Sequence, residues 1–370
     1  MSTAQTAKKI DFIDLVAQQS RIRKQIDERI RRVLDHGQYI LGPEVTELES
    51  KLAQFVGVKE ALSMASGTDA LLIALMALGV GPGDEVITTP FTFISTAEVI
   101  ALLQAKPVFV DIDEKTFNIN PVLIEKAVTK KTKAIIPVSL YGQCANMEAI
   151  NEIAKKHNIP VIEDGCQSFG STRHGKQSCS LSTIGCTSFF PSKPLGGYGD
   201  GGACFTNDPA LAQKMKWIRV HGQDKRYHHP LIGVNGRFDT LQAAILLPKL
   251  EIFPEEVTLR AKIGERYTQL LKGVVGTPAT DAGNTHVYAQ YTVRVKNRAS
   301  FQESLNKAGV PTAVHYPIPL HLQPAFSYLN YKEGSLPVSE LCAREVVSLP
   351  MHPYLSSADQ DRIVEAVKLA

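Results

Sequence analysis

The chain has 370 residues, 44% of them apolar and 7% aromatic, a composition that folded domains have and disordered segments lack. Its 40 basic and 37 acidic residues leave a formal charge of +3, and no block of five like charges occurs, so no nucleic-acid partner is expected. The length exceeds one typical domain, and we expect a large domain over residues 1–250 and a smaller one over 251–370.

The opening stretch MSTAQTAKKIDFIDL holds no apolar core long enough for a signal peptide. Ile22, Ile26, Ile30 and Val33 then recur at helical spacing between charged residues, predicting an amphipathic helix. Gly37 and the Gly42-Pro43 pair break the chain, and a second helix is predicted over about 44–55. In SGTDALLIALMALG, Thr68 is suited to cap a helix and Asp69 to its first turn, and the apolar content on all sides predicts burial.

From Asp84 onward, short apolar segments at 85–89, 107–112, 133–139 and 160–163 alternate with helical ones near 94–104, 121–129 and 146–157. Strand, helix, strand at this interval predicts right-handed crossovers and a mostly parallel sheet. Segments 184–190 and 202–206 complete the sheet, and a helix follows over 208–219. Phe238 to Leu247 reads as another helix, which Pro248 should end or kink. Beyond residue 255 come a helix, a strand over 287–295 and helices near 300–308, 341–346 and 358–368, a small α+β domain. No apolar run is long enough to span a membrane. Cys144, Cys166, Cys179, Cys186, Cys204 and Cys342 form no C-x-x-C pair, so free thiols in a reducing cytoplasm are expected, with no metal.

Open parallel sheets bind ligands beyond the carboxyl ends of their strands, which directs attention to Gly67-Thr68, Phe91 to Phe93, Asp164 and the loop around Lys193. In VIEDGCQSFG, Asp164 ends a strand, where a buried carboxylate needs a cationic partner; the protonated ring nitrogen of pyridoxal phosphate is one. Taken alone, an aspartate such as Asp164 is more often a helix cap or a surface turn. In TSFFPSKPLGGYGDGG, Lys193 sits between a strand and a glycine-rich loop stiffened by Pro191 and Pro194. Held near a carbonyl cofactor, such an amine forms a Schiff base and moves protons, whereas a lone lysine here would be a solvated loop residue. Ser66-Gly67-Thr68-Asp69 offers amides at a helix start for a phosphate, or an ordinary cap, and neither a P-loop nor a Rossmann fingerprint is present. Phe91 and Phe93 suit ring stacking or core packing.

In this order the residues resemble the DegT/DnrJ/EryC1/StrS sugar aminotransferases, which are fold-type I pyridoxal-phosphate enzymes. GQYILGPEVTELE, SGTDAL, GPGDEVI, IEDGCQS, SFFPSKPLGGYGDGG and GRFDTLQAA carry the resemblance over nearly the whole chain. It implies that Lys193 carries the cofactor and shuttles the proton, and that Asp164 pairs with the ring nitrogen. Gln167 and Phe93 would lie against the two faces of the ring, and Gly67, Thr68 and Ser188 would hold the phosphate. Asn235 would reach the phosphate from the neighbouring subunit of a homodimer with shared active sites. Lysine rather than histidine at 193 implies transamination rather than the dehydration some family members perform. Gly165-Cys166 departs from the usual small alanines, and Gly197 from a frequent cysteine, without loss of a required group.

SLYGQCANMEAI, SFFPSKPLGGYGDGGACFTND, HGQDKRYHH and TAVHYPIPLH further resemble the WbpE/WlbC-type branch, which aminates C3 of UDP-2-acetamido-2-deoxy-3-oxo-glucuronic acid for bacterial surface polysaccharide. That implies a UDP-linked keto sugar and glutamate as substrates, with Arg237 reading the sugar carboxylate beside His315 and Tyr316. The alternatives are an aminotransferase for another nucleotide-linked keto sugar (a C4 ketone or a dTDP-linked 6-deoxy hexose), a pyridoxal-phosphate-binding regulatory protein without turnover, and a plain nucleotide-binding α/β protein.

Overall fold

The computed structural model describes residues 9–370; the first eight residues of the opening stretch, expected to hold no signal peptide, lie outside it. The chain begins with helices α1 (Leu15–His36) and α2 (Pro43–Val56), followed by strand β1 (Glu60–Met64) and helix α3 (Gly67–Ala77). The alternating region supplies β2 (Glu85–Thr88), α4 (Ser95–Leu102), β3 (Lys106–Phe109), α5 (Pro121–Ala127), β4 (Thr132–Ile136), α6 (Met147–His157) and β5 (Ile162–Asp164). A short hairpin, β6 (Thr172–Arg173) and β7 (Lys176–Gln177), leads to β8 (Ile184–Ser188), β9 (Gly202–Thr206), α7 (Pro209–Ile218) and α8 (Thr240–Leu271). The C-terminal elements are β10 (Tyr291–Arg294), α9 (Arg298–Lys307), α10 (Pro337–Glu345), β11 (Val346–Leu349) and α11 (Ser357–Leu369).

Strands β3, β2 and β4 pair in parallel, and the bridges Ile135 to Val161 and Val138 to Asp164 join β4 to β5. The sheet continues β5-β8-β9-β1, in which β9 runs antiparallel to both neighbours. The sheet is thus mostly parallel, as its periodicity predicts. Side-chain alternation divides its two faces. Leu62 and Cys204 join the cluster beneath α3, α4 and α7, while Ala61, Ala203 and Phe205 join the cluster beneath α2 and α8. A separate core of Tyr267, Tyr291, Val293, Phe301, Leu305, Val347 and Ile363 holds the C-terminal elements together.

The structure departs from expectation in three places. Strand β1 is absent from the sequence reading because Glu60, Ala61, Leu62 and Met64 are good helix formers; pairing with β9 overrides that propensity. Of the two outcomes expected at Pro248, ending the helix does not occur: α8 runs 32 residues through Pro248 and Pro254. Each interior proline costs about 3 kcal/mol, offset here by burial of Leu246, Leu247, Leu250 and Phe253 against α2 and the sheet. Thr68 is not the cap of α3; Ser66 is, its hydroxyl accepting the Asp69 amide at 3.0 Å. Among the described residues no helix is long and apolar enough to cross a membrane.

His286 is buried, stacked on Tyr288 with ring centroids 3.9 Å apart, and its Nδ1 accepts the Tyr288 amide. Burial drops its pKa to about 3, so the unfolded chain binds a proton near pH 6.5 that the folded chain refuses. Stability conferred by this site therefore rises with pH from about 3 to 6.5 and falls on acidification through that window. In His286→Asn, the slope of unfolding free energy between pH 4.5 and 6 should drop by about 1.4 kcal/mol per pH unit, measured by denaturant titration.

Candidate active site

The carboxyl ends of β5 and β8 and the start of α3 converge. Asp164, the last residue of β5, is 4% exposed. Its Oδ2 accepts the Thr96 hydroxyl at 2.8 Å and its Oδ1 accepts the Cys166 amide at 3.2 Å. Among the described residues no lysine or arginine forms an ion pair with it. A carboxylate so deeply buried is costly without a positive partner.

Lys193 lies in the loop between β8 and β9, its amide donating to the Phe190 carbonyl at 2.9 Å. The turn needs glycine next to it: a Cβ on Gly196 would sit 2.4 Å from the Pro191 carbonyl oxygen. The Lys193 ammonium bears electrostatically on both Cys166 and His315. Burial, with this positive neighbour second, lowers His315 to about 4, so its ring is neutral at physiological pH. His315 Nδ1 lies 2.9 Å from the Ser348 hydroxyl, and its backbone carbonyl accepts the Tyr141 hydroxyl. Burial chiefly, and Asp164 next, raise the Tyr316 phenol.

Gln167 ties the two sides. Its Oε1 accepts the Tyr141 amide at 2.9 Å and its Nε2 donates to the Tyr316 hydroxyl at 3.2 Å. Phe93 is 53% exposed with its ring 6.2 Å from that of Tyr316, whereas Phe91 is fully buried against Phe117 and Tyr141 and belongs to the core. The first-turn amides of α3, at Gly67 and Thr68, have no carbonyl within the helix to receive them. Ser188 meets Gly67 closely: a Cβ on Gly67 would fall 2.7 Å from Ser188 Cβ and 3.2 Å from Cys166 Sγ.

Asn235 and Arg237 stand apart. They line a cleft of about 400 Å³ with Ile40, Ala65, Gly199 and Asp200, held there because the Ala65 amide donates to the Gly236 carbonyl at 3.0 Å. No hydrogen bond or ion pair among the described residues joins Arg237 to His315, Tyr316 or Lys193, and its Nε is buried without a partner. The sequence reading missed Thr96 and Tyr141. The i, i+4 pair Thr92 and Thr96 after strand β2 was the only local sign of the first, and nothing local marks the second.

The donor set suits pyridoxal phosphate: an amine on a loop, a buried carboxylate lacking a cation, amides at a helix start and an exposed ring edge. The comparisons agree. The model of the DegT/DnrJ/EryC1/StrS aminotransferase family matches residues 20–368. The UDP-2-acetamido-2-deoxy-3-oxo-D-glucuronate aminotransferase of Pseudomonas aeruginosa is 64% identical over 350 residues, 94% of this chain and 97% of that one. The pleiotropic regulatory protein of Geobacillus stearothermophilus is 48% identical over 362 residues, 97% of each chain. Among solved structures, S. venezuelae DesV in complex with a ketimine intermediate superposes with a TM-score of 0.96 at 38% identity, covering 98% of both chains.

The Gly67 contact is testable. Gly67→Ala must displace Ser188 or α3, and it should cost about 1–3 kcal/mol of stability by denaturant titration while weakening any phosphate-bearing ligand.

Proposed function

The chain belongs to the DegT/DnrJ/EryC1/StrS aminotransferase family, and from that premise we propose that it is a pyridoxal-phosphate enzyme moving an amino group from glutamate to C3 of UDP-2-acetamido-2-deoxy-3-oxo-glucuronate. One observation carries the chemistry: the Asp164 carboxylate is buried at the sheet rim with hydrogen-bond donors but no cation. The choice of sugar rests on the 64% identity to the Pseudomonas aeruginosa enzyme of that name.

When bound, pyridoxal phosphate supplies an electron sink for the carbanion formed beside nitrogen. The chain supplies the rest. Asp164 would hold the ring nitrogen protonated, the Gly67 and Thr68 amides with the Ser188 hydroxyl would take the phosphate, and Phe93 and Gln167 would flank the ring. Lys193 Nζ takes the proton from the glutamate carbon that bears nitrogen and, in the second half-reaction, delivers one to C3 of the sugar. Neutral His315 and the Tyr316 phenol face the sugar, where an uncharged imidazole accepts a hydroxyl proton without repelling the Lys193 ammonium.

Asn235 and Arg237, two residues apart on one cleft, serve the neighbouring subunit of a homodimer: Asn235 at the phosphate, Arg237 at the uronate carboxylate. His315 and Tyr316 do not line this cleft, which supports that reading. A cytoplasmic setting goes with it, since all six cysteines are free thiols and five of them are buried. A regulatory role without turnover is the second reading, favoured by the name of the Geobacillus relative.

Borohydride reduction of the loaded enzyme followed by peptide mass mapping should place the cofactor on Lys193, and Lys193→Ala should lose at least ~10³-fold in transamination. Glutamate should bleach the cofactor's visible band, which the regulatory reading denies. Arg237→Ala should lower kcat/KM for the 3-oxo-uronate roughly 10- to 100-fold and leave a 6-deoxy keto sugar within about threefold. Equal losses on both sugars would remove Arg237 from carboxylate recognition.

A further inference from the structure

Asp164 is a short side chain whose carboxylate rotates about a broad, weakly restrained torsion. Two hydrogen bonds set its plane. One comes from the backbone amide of Cys166; the other crosses 68 residues of sequence, from the hydroxyl of Thr96 in the first turn of α4. Thr96 is fully buried, and its hydroxyl also lies 3.1 Å from that of Thr92, itself 3% exposed.

The directions of these bonds follow from the donor inventory. An ionised carboxylate only accepts, so Thr96 spends its single proton on Asp164. Thr96 then has only lone pairs for Thr92, and Thr92 must be the donor. The result is a one-way relay, Thr92 to Thr96 to Asp164, in which each bond polarises the next in a dry surrounding. Both carboxylate oxygens keep a further lone pair for a third donor in the same plane.

We infer that Thr96 is a positioning residue, supported by Thr92, whose hydroxyl aims the Asp164 carboxylate at the ring nitrogen of the cofactor. This inference rests on the reading of Asp164 given above. A hydroxyl that merely satisfies a buried acid would stabilise the fold and no more. A hydroxyl that aims the acid changes how well the site tells a protonated ring nitrogen from a carbon in the same place.

Pyridoxal phosphate and its 1-deaza analogue, in which carbon replaces the ring nitrogen, separate these roles. They share the aldehyde and the phosphate, so Lys193 and the start of α3 treat them alike, and the ratio of their equilibrium affinities isolates the ring atom. The full-length protein, stripped of cofactor and titrated with each, should prefer pyridoxal phosphate, and Asp164→Asn should erase that preference. Thr96→Val should cut it roughly tenfold, Thr96→Ser should restore it to within about twofold, and Thr92→Val should give a smaller loss in the same direction. Equal weakening of both ligands in Thr96→Val, or an unchanged ratio, overturns the positioning role. If Thr96→Val does not fold, the Thr92→Val ratio decides, and a wild-type value there overturns it too. If Asp164→Asn keeps the wild-type preference, the assignment of Asp164 itself fails, a different result from an intact Asp164 effect with no Thr96 effect.

Discussion

A carboxylate buried at the end of a central strand, accepting from two neutral donors and paired with no lysine or arginine among the described residues, is the constraint around which this molecule is arranged. Asp164 is 4% exposed. Its carboxylate accepts from the Thr96 hydroxyl and the Cys166 amide. Hydrogen bonds from neutral groups offset part of the desolvation cost of an ion, and a facing cation offsets far more. An acid held this way suits a positively charged ligand atom, and it bears on the Tyr316 phenol that Gln167 holds.

The sheet topology delivers those residues. Parallel pairing of β5 with β8 sets Asp164 beside Cys186 in register, two residues before Ser188 ends its strand. The chain then makes the loop that carries Lys193 and returns antiparallel as β9, which pairs with β1 and so brings the start of α3 alongside. One reversal of strand direction thereby puts the amine, the acid and the helix start on the same rim. Gly67 is required there because Ser188 occupies the space a side chain would take.

Much of this was legible in the sequence, for physical reasons. The βα alternation between Asp84 and Asp164 is carried by continuous apolar runs, which fully buried parallel strands produce. The lysine loop announces itself by prolines and glycines whose backbone demands are local. What escaped was non-local. Strand β1 is built from helix-forming residues and exists because β9 pairs with it. Pro248 and Pro254 stay inside α8 because packing outweighs two missing amide bonds. Thr96 reaches Asp164 across 68 positions, and no periodicity encodes that distance. Arg237, grouped with His315 and Tyr316 by resemblance, shares its cleft with Asn235 instead, where the Gly236 carbonyl accepts the Ala65 amide.

The neighbouring acids Glu163 and Asp164 show why burial alone does not mark a functional group. Strand alternation sends them to opposite faces. Glu163, fully buried, accepts from the Ser139 and Ser178 hydroxyls at 2.8 and 2.9 Å and from the Cys179 amide at 2.7 Å. Three donors spread over both oxygens use most of its accepting capacity, and burial raises its proton affinity, so this acid ties β5 to the loops around it. Asp164 has one donor per oxygen and lies on the side where Lys193 and Tyr316 act. Two carboxylates one residue apart thus differ in surroundings: one is enclosed by its own chain and the other keeps accepting capacity. In a dipeptide that reads simply as Glu-Asp, the difference is made by Ser139, Ser178 and Cys179 on one face and by Thr96 and the Cys166 amide on the other.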